Sequence, residues 1–201
     1  MTTKWALFDY DDVLVDYLGG VAPFARSRLG RDLIGLPRSW NLAEWMGVAP
    51  DEARDVITAF NEQSCAFGNL RAKDGAVEIL TAVRGLGFET AVITSSSVAP
   101  LSVARRALNC DALFGGLVSR LHIVPLGETK EHVLRSYPEG SLWFEDNPRN
   151  AIIGAEAGHR AFLVDMPQNE GFEAPPPVTR VKDLREALRI ITADEPSPSF
   201  S

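Results

Sequence analysis

Apolar residues fall along this chain in two patterns that take turns. Short, nearly continuous apolar runs, rich in β-branched and aromatic residues, stand at Trp5–Asp9, Phe88–Thr94, Leu142–Phe144 and Ala161–Val164. Weaker runs stand at Gly116–Ser119 and His122–Val124. Such runs read as strands, and the four stronger ones show little inward–outward alternation, as expected of strands buried on both faces of a parallel sheet. Helical spacing fills the gaps, over Asp74–Leu86, Ala99–Leu108, Glu128–Ser136, Pro148–Ala157 and Val181–Ile191. Pro148 suits a first helical turn, where its missing N–H costs nothing. Strands alternating with helices predict an α/β fold with a doubly wound parallel sheet.

Residues 16–73 break the alternation. They read as helical at Val21–Leu29, Leu42–Met46 and Pro50–Cys65, with no strong strand among them. They are expected to form a helical insertion between the first strand and its crossover helix. The core is then expected over 1–15 and 74–192, with a Ser- and Pro-rich flexible tail over 193–201. A length of 201 residues fits one domain carrying such an insertion. A hydrophobic share of 45% with 23% charged residues excludes a mainly disordered or low-complexity chain. The net charge of −7, with no basic run beyond Arg105-Arg106, speaks against duplex nucleic acid as a partner. Apolar stretches such as Ala151–Ala155 are too short for a bilayer, and the N-terminus meets Asp9, Asp11 and Asp12 too soon for a signal peptide. No membrane partner is expected. Cys65 and Cys110 make neither a disulfide framework nor a Cys-rich zinc site, and the expected compartment is the reducing cytoplasm. Monomer and homodimer both stay open.

Three strand ends carry candidate chemistry. Asp9 and Asp11 leave the first run, and a parallel sheet gathers ligands outside the carboxyl ends of its strands. Two carboxylates there suit Mg²⁺, which keeps waters and accepts a substrate phosphate as a further ligand. The plainer reading is a polar loop. Thr94-Ser95-Ser96-Ser97 leave the second run. Their hydroxyls and N–H groups suit phosphate oxygens, while helix capping by Ser97 is the plainer reading. Glu145-Asp146 leave the third run, where burial is costly unless a cation or hydrogen bonds compensate; a helix N-terminus is the alternative. Lys130 lies between, either solvated or neutralising these carboxylates.

Their order is informative. Asp-x-Asp, a Thr after a strand, a Lys, and Glu-Asp after another strand resemble the haloacid-dehalogenase-like phosphohydrolase superfamily from about Lys4 to Val164. The resemblance implies a Rossmann-like core, a small helical cap formed by the insertion, and Mg²⁺-dependent phosphoryl transfer to aspartate. Asp9 matches the nucleophile, Asp11 the general acid/base, Thr94 the phosphate-binding hydroxyl and Lys130 the residue steadying nucleophile and phosphoryl group. Asp146 matches the acidic metal ligand with Glu145 beside it, and the metal set is completed by Asp9 and the main-chain carbonyl of Asp11. Asp11→Asn is accordingly expected to slow turnover and spare the fold. Carbon–halogen chemistry needs no such second Asp, so Asp11 favours phosphate esters.

A closer resemblance is to the 5′(3′)-deoxyribonucleotidase family. It is carried by Ser39-Trp40-Asn41-Leu42, the lead-in Phe67–Gly75, the strand end Ile93-Thr94-Ser95, and Asp165-Met166-Pro167-Gln168-Asn169. It implies a small phosphorylated substrate, a nucleoside or deoxynucleoside monophosphate. Thr94, Ser95 and Lys130 would bind phosphate, and cap aromatics would hold the base: Trp40, Trp45, Phe67, and Phe60 as a further candidate. Packing within the cap itself is the alternative for each aromatic. Two departures stand out. Ser96 and Ser97 replace the Arg and Pro usual after the Thr-Ser pair, and Asp12 replaces a Gly whose place favours unusual backbone geometry. A phosphatase or phosphomutase for another small phosphoester, such as a sugar phosphate, stays open, as does a non-catalytic binding protein that kept the fold.

Overall fold

The apolar runs pack into both faces of one sheet. The structure is a computed structural model and describes residues 3–194. Its strands are β1 (Lys4–Phe8), β2 (Phe88–Ser96), β3 (Arg120–Pro125), β4 (Leu142–Glu145), β5 (Arg160–Val164) and β6 (Thr179–Val181). All pair in parallel, in the order β3-β2-β1-β4-β5-β6. Between β1 and the crossover to β2 lie α1 (Tyr17–Leu29), α2 (Leu42–Met46), α3 (Pro50–Gln63) and a 3₁₀ turn, Cys65–Asn69. The remaining helices are α4 (Ala76–Gly85), α5 (Pro100–Phe114), α6 (Glu131–Leu134), α7 (Pro148–Glu156) and α8 (Leu184–Asp194). The expected α/β architecture with a doubly wound parallel sheet is the one observed.

Alternate residues of each strand feed opposite cores. Ala6, Phe8, Val92, Phe144 and Phe162 pack on one face with the inserted helices. Trp5, Leu7, Ile93, Trp143 and Leu163 pack on the other. On the first face Phe8, Phe144 and Phe162 stack across neighbouring strands with ring centres 4.5 and 5.1 Å apart. On the second, Trp143 is fully buried and its indole N–H donates to the Asn150 carbonyl at 3.1 Å. Gly154 lets α7 close onto that indole: a Cβ there would stand 2.1 Å from the Trp143 ring. Gly154→Ala is therefore expected to cost about 1–3 kcal/mol, read as a fall in Tm. An unchanged Tm would contradict the close packing.

Differences from the sequence expectation have local causes. Gly116–Ser119 begins as a 3₁₀ turn over Gly115–Leu117, because two successive glycines weaken extended structure, and β3 starts only at Arg120. The helix expected from Val181 begins at Leu184. Val181 closes the short edge strand β6, and the Asp183 carboxylate accepts from the Glu186 N–H in the first turn. The helix expected over Glu128–Ser136 is confined to Glu131–Leu134, with Thr129 Oγ1 accepting from the Glu131 N–H ahead of it. Of the tail expected over 193–201, Ala193 and Asp194 end α8 and the rest lies outside the described residues.

Candidate active site

Strand register brings the acidic strand ends together. Phe8 pairs with Phe144 on one side and Val92 on the other, so Asp9 emerges level with Glu145. The Asp9 N–H donates to the Phe144 carbonyl at 2.8 Å, which holds the two strand ends side by side. The chain crosses from β1 to β2 on one side, and β4 lies on the other. Open α/β sheets leave a crevice at such a reversal. Here a cavity of about 240 Å³ opens above it, lined among others by Asp9, Asp11, Thr94, Ser95, Lys130 and Asp146.

Three buried carboxylates gather here, and two of them share one ammonium group. Lys130 Nζ donates to Asp9 Oδ1 at 2.6 Å and to Glu145 Oε2 at 2.8 Å, and Lys130 is itself buried. Burial alone would pull Lys130 down, yet Asp9 and Glu145 together hold it above its ordinary value. One cation does not balance the group. Burial, then Glu145, push Asp9 up to about 8 against the pull of Lys130. Burial, then Glu145 and Asp9, raise Asp146 as well.

Asp11 points elsewhere. Both its oxygens accept from Arg106, Oδ1 from Nη1 and Oδ2 from Nη2, each at 2.7 Å. Burial raises the Asp11 carboxyl while Arg106 opposes the rise. Asp12 takes the left-handed conformation, φ 61°, that the usual Gly would adopt freely. Its Oδ1 accepts from the Leu18 N–H at 3.1 Å, which ties the turn to the start of α1. Thr94 Oγ1 is buried with no partner among the described residues, which suits a hydroxyl kept for a ligand oxygen.

The expected aromatics separate. Trp40 lines the cavity and is 42% exposed. Trp45 and Phe67 do not line it. Trp45 is buried in the core of the insertion with its indole N–H donating to the Gly35 carbonyl at 3.0 Å. Phe67 is fully buried, packs edge-on to Phe60, and has its ring 4.3 Å from the Arg106 guanidinium. Phe60 is likewise buried against Tyr17, Phe24 and Phe67. Sequence reasoning missed Arg106, visible only as half of a basic pair. It also gave no role to Asn61 and Asn150, which line the cavity, or to Gln168, which lines it too and was noted only as part of the stretch Asp165–Asn169.

The donor set fits Mg²⁺. Carboxylate oxygens of Asp9, Glu145 and Asp146 lie within 4.8 Å of one another, and hard oxygen ligands with excess negative charge are what this ion takes. The linkage has a definite sign. Asp9 is raised from 3.8 to about 8 and Asp12 to about 7, so the stability they contribute is complete below about pH 4 and is lost as pH rises toward 8. Binding a cation requires the ionised carboxylates. Mg²⁺ is therefore expected to raise Tm more at about pH 8 than at about pH 5, and chelation is expected to abolish turnover. A Tm shift independent of pH, or full turnover in EDTA, would contradict the site.

The haloacid dehalogenase-like hydrolase family model matches residues 3–158. No curated protein matches the chain in sequence. Solved structures share the fold at low identity. A predicted phosphatase from Clostridium acetobutylicum has a TM-score of 0.67 at 15% identity, covering 96% of this chain and 100% of that one. A haloacid dehalogenase-like family hydrolase from Streptococcus pneumoniae has a TM-score of 0.64 at 13% identity, covering 94% and 98%. The D,D-heptose 1,7-bisphosphate phosphatase of B. bronchiseptica, complexed with magnesium and phosphate, has a TM-score of 0.59 at 15% identity, covering 96% and 100%. Described residues 3–194 include no helix long and apolar enough to cross a membrane. With a family model spanning most of its length and the ordered acidic strand ends meeting at one crevice, the chain belongs to the haloacid dehalogenase-like hydrolases.

Proposed function

We propose that this protein is a Mg²⁺-dependent phosphomonoesterase acting on a nucleoside monophosphate. The observation that carries the phosphatase reading is Lys130 bridging Asp9 and Glu145 beside a third buried carboxylate, under a cavity into which an unpartnered Thr94 hydroxyl opens. Asp9 attacks phosphorus, and its charge would repel an anionic ester unless cations cancel it. Lys130 holds Asp9 in place and offers charge to the transferring phosphoryl oxygens. Thr94 and the neighbouring Ser95 bind the remaining oxygens. Asp9, Glu145, Asp146 and the Asp11 main-chain carbonyl would hold Mg²⁺, which would supply positive charge against the developing negative charge of an in-line transfer. Asp11 protonates the leaving oxygen, and then takes a proton from the water that cleaves the phosphoryl-Asp9 bond.

Residues 16–73 act as the cap over this core, with Trp40, Leu42, Ile57 and Asn61 facing the cavity. Among the described residues that line the cavity, Lys130 is the lone Lys or Arg, and it is already paired. That supports an ester with one phosphate and an uncharged, partly flat leaving group, as a nucleoside is. A sugar monophosphate is the second reading, favoured by the amides of Asn61, Asn150 and Gln168. Turnover of a panel of phosphorylated metabolites with Mg²⁺ separates the two, and a nucleoside monophosphate is expected to lead. Trp40→Ala is expected to raise KM for that nucleotide roughly tenfold, the scale of one lost base–aromatic stack, and to leave KM for a small aliphatic phosphate ester unchanged. A sugar phosphate at the head of the panel, with KM indifferent to Trp40, would replace the nucleotide reading.

A further inference from the structure

Arg106 sits in α5, outside every motif above, and its side chain is 1% exposed. Its fork meets both oxygens of Asp11 at 2.7 Å. The guanidinium lies over the Tyr10 ring, 4.8 Å from its centre, and over the Phe67 ring, 4.3 Å from its centre. A buried Arg–Asp pair is often no more than a replaceable core feature. This one has a wet end: the Asp11 side chain is 21% exposed and lines the cavity. Each carboxylate oxygen gives one lone-pair direction to Arg106 and keeps another free. A planar two-point contact fixes the plane of the carboxylate as well as its place, which a lysine at the same distance does not do.

The surrounding helix face has the same bias. Ser102 Oγ donates to the Asn61 carbonyl and Arg105 Nη1 to the Glu62 carbonyl, each at 2.8 Å. Asn109 accepts from the Tyr10 hydroxyl at 2.9 Å and donates to the Leu70 carbonyl at 3.0 Å. One polar stripe of α5 therefore grips the end of α3 and the return of the insertion, and its central residue grips Asp11.

We propose that Arg106 is a positioning residue for phosphoryl transfer, orienting Asp11 toward the leaving oxygen from a platform made by Tyr10 and the cap residue Phe67. The proposal rests on Asp11 being the general acid, and its test examines that reading separately. Full-length, Mg²⁺-loaded parent, Asp11→Asn, Arg106→Lys and the double variant are assayed for kcat/KM on two esters. One is an alkyl phosphate, whose departing oxygen needs a proton. The other is p-nitrophenyl phosphate, whose leaving group departs as a stable anion. Since kcat/KM reports the steps up to departure of the leaving group, a misplaced acid harms the alkyl ester selectively. Arg106→Lys is expected to lower the alkyl value roughly tenfold or more, the scale of a small misplacement, with far less effect on the nitrophenyl ester. In the Asp11→Asn background it is expected to add little further loss. Equal losses on both esters, or a double variant showing the product of the single effects, would overturn the role of Arg106. An Asp11→Asn variant without leaving-group selectivity would instead sink the acid assignment and the proposal with it. Should Arg106→Lys not fold, Phe67→Leu keeps Arg106 and removes one ring face. It is expected to show the same selectivity at smaller size, and an equal loss on both esters would overturn the proposal.

Discussion

Asp9→Asn is expected to give a folded protein that turns over no substrate and, without Mg²⁺, melts above the parent. The loss follows from the chemistry: an amide oxygen is a poor nucleophile, and removal of a covalent nucleophile costs on the order of 10⁴-fold or more. The gain follows from the charges. Asp9, Glu145 and Asp146 cluster with Lys130 bonded to the first two alone, and burial with Glu145 already pushes the Asp9 carboxyl up to about 8. Asn keeps the size of Asp and an oxygen for Lys130 to donate to, while one of the repelling charges goes. Relief of this kind is worth about 1 kcal/mol, the usual exchange of stability against activity at a site. Parallel melting curves and turnover assays check both halves. A variant as active as the parent would end the nucleophile assignment, and a lower metal-free Tm would end the claim of surplus negative charge.

Lys130→Met is expected to fail in the opposite way. Methionine matches the stem of the lysine and can rest against Trp143, whose ring centre is 5.3 Å from Nζ. It offers nothing to Asp9 Oδ1 or Glu145 Oε2, both bonded to Nζ. Breaking a buried pair by removing one partner costs about 3–5 kcal/mol, because the remaining charge stays buried and uncompensated. Here three carboxylates would be left together. Added Mg²⁺ is expected to restore part of the lost Tm by supplying another cation, without restoring turnover, which is expected to stay about 10²–10³-fold below the parent. Unchanged stability in the metal-free variant would mean that the carboxylates are neutralised some other way.

The contrast between these two substitutions separates what the chain discloses in order from what it discloses only when folded. Both residues stand in a recognisable series of strand ends. Apolar runs such as Phe88–Thr94 and Leu142–Phe144 were legible because burial on both faces leaves no polar alternation, and Asp9 and Glu145 were legible because they end such runs. Arg106 was not, since its meaning lies in meeting Asp11 across 95 positions of sequence. It also revises the expectation that Asp11→Asn spares the fold. That exchange removes the counter-charge of a buried guanidinium and is expected to lower Tm. Trp40, Trp45 and Phe67 look alike in sequence, and only packing distinguishes the one that lines the cavity from the two that support it. β6 was hidden because a three-residue edge strand carries too short a pattern to oppose the helical spacing that follows it.

The most direct test of the account is rapid acid quench of the Mg²⁺-loaded protein during turnover of a phosphate ester, followed by peptide mass spectrometry. One phosphoryl group is expected on the peptide that contains Asp9, formed before phosphate is released and absent from Asp9→Asn. Phosphate released in the first turnover with no phosphoryl group on the chain, or with one on a residue other than Asp9, would contradict it.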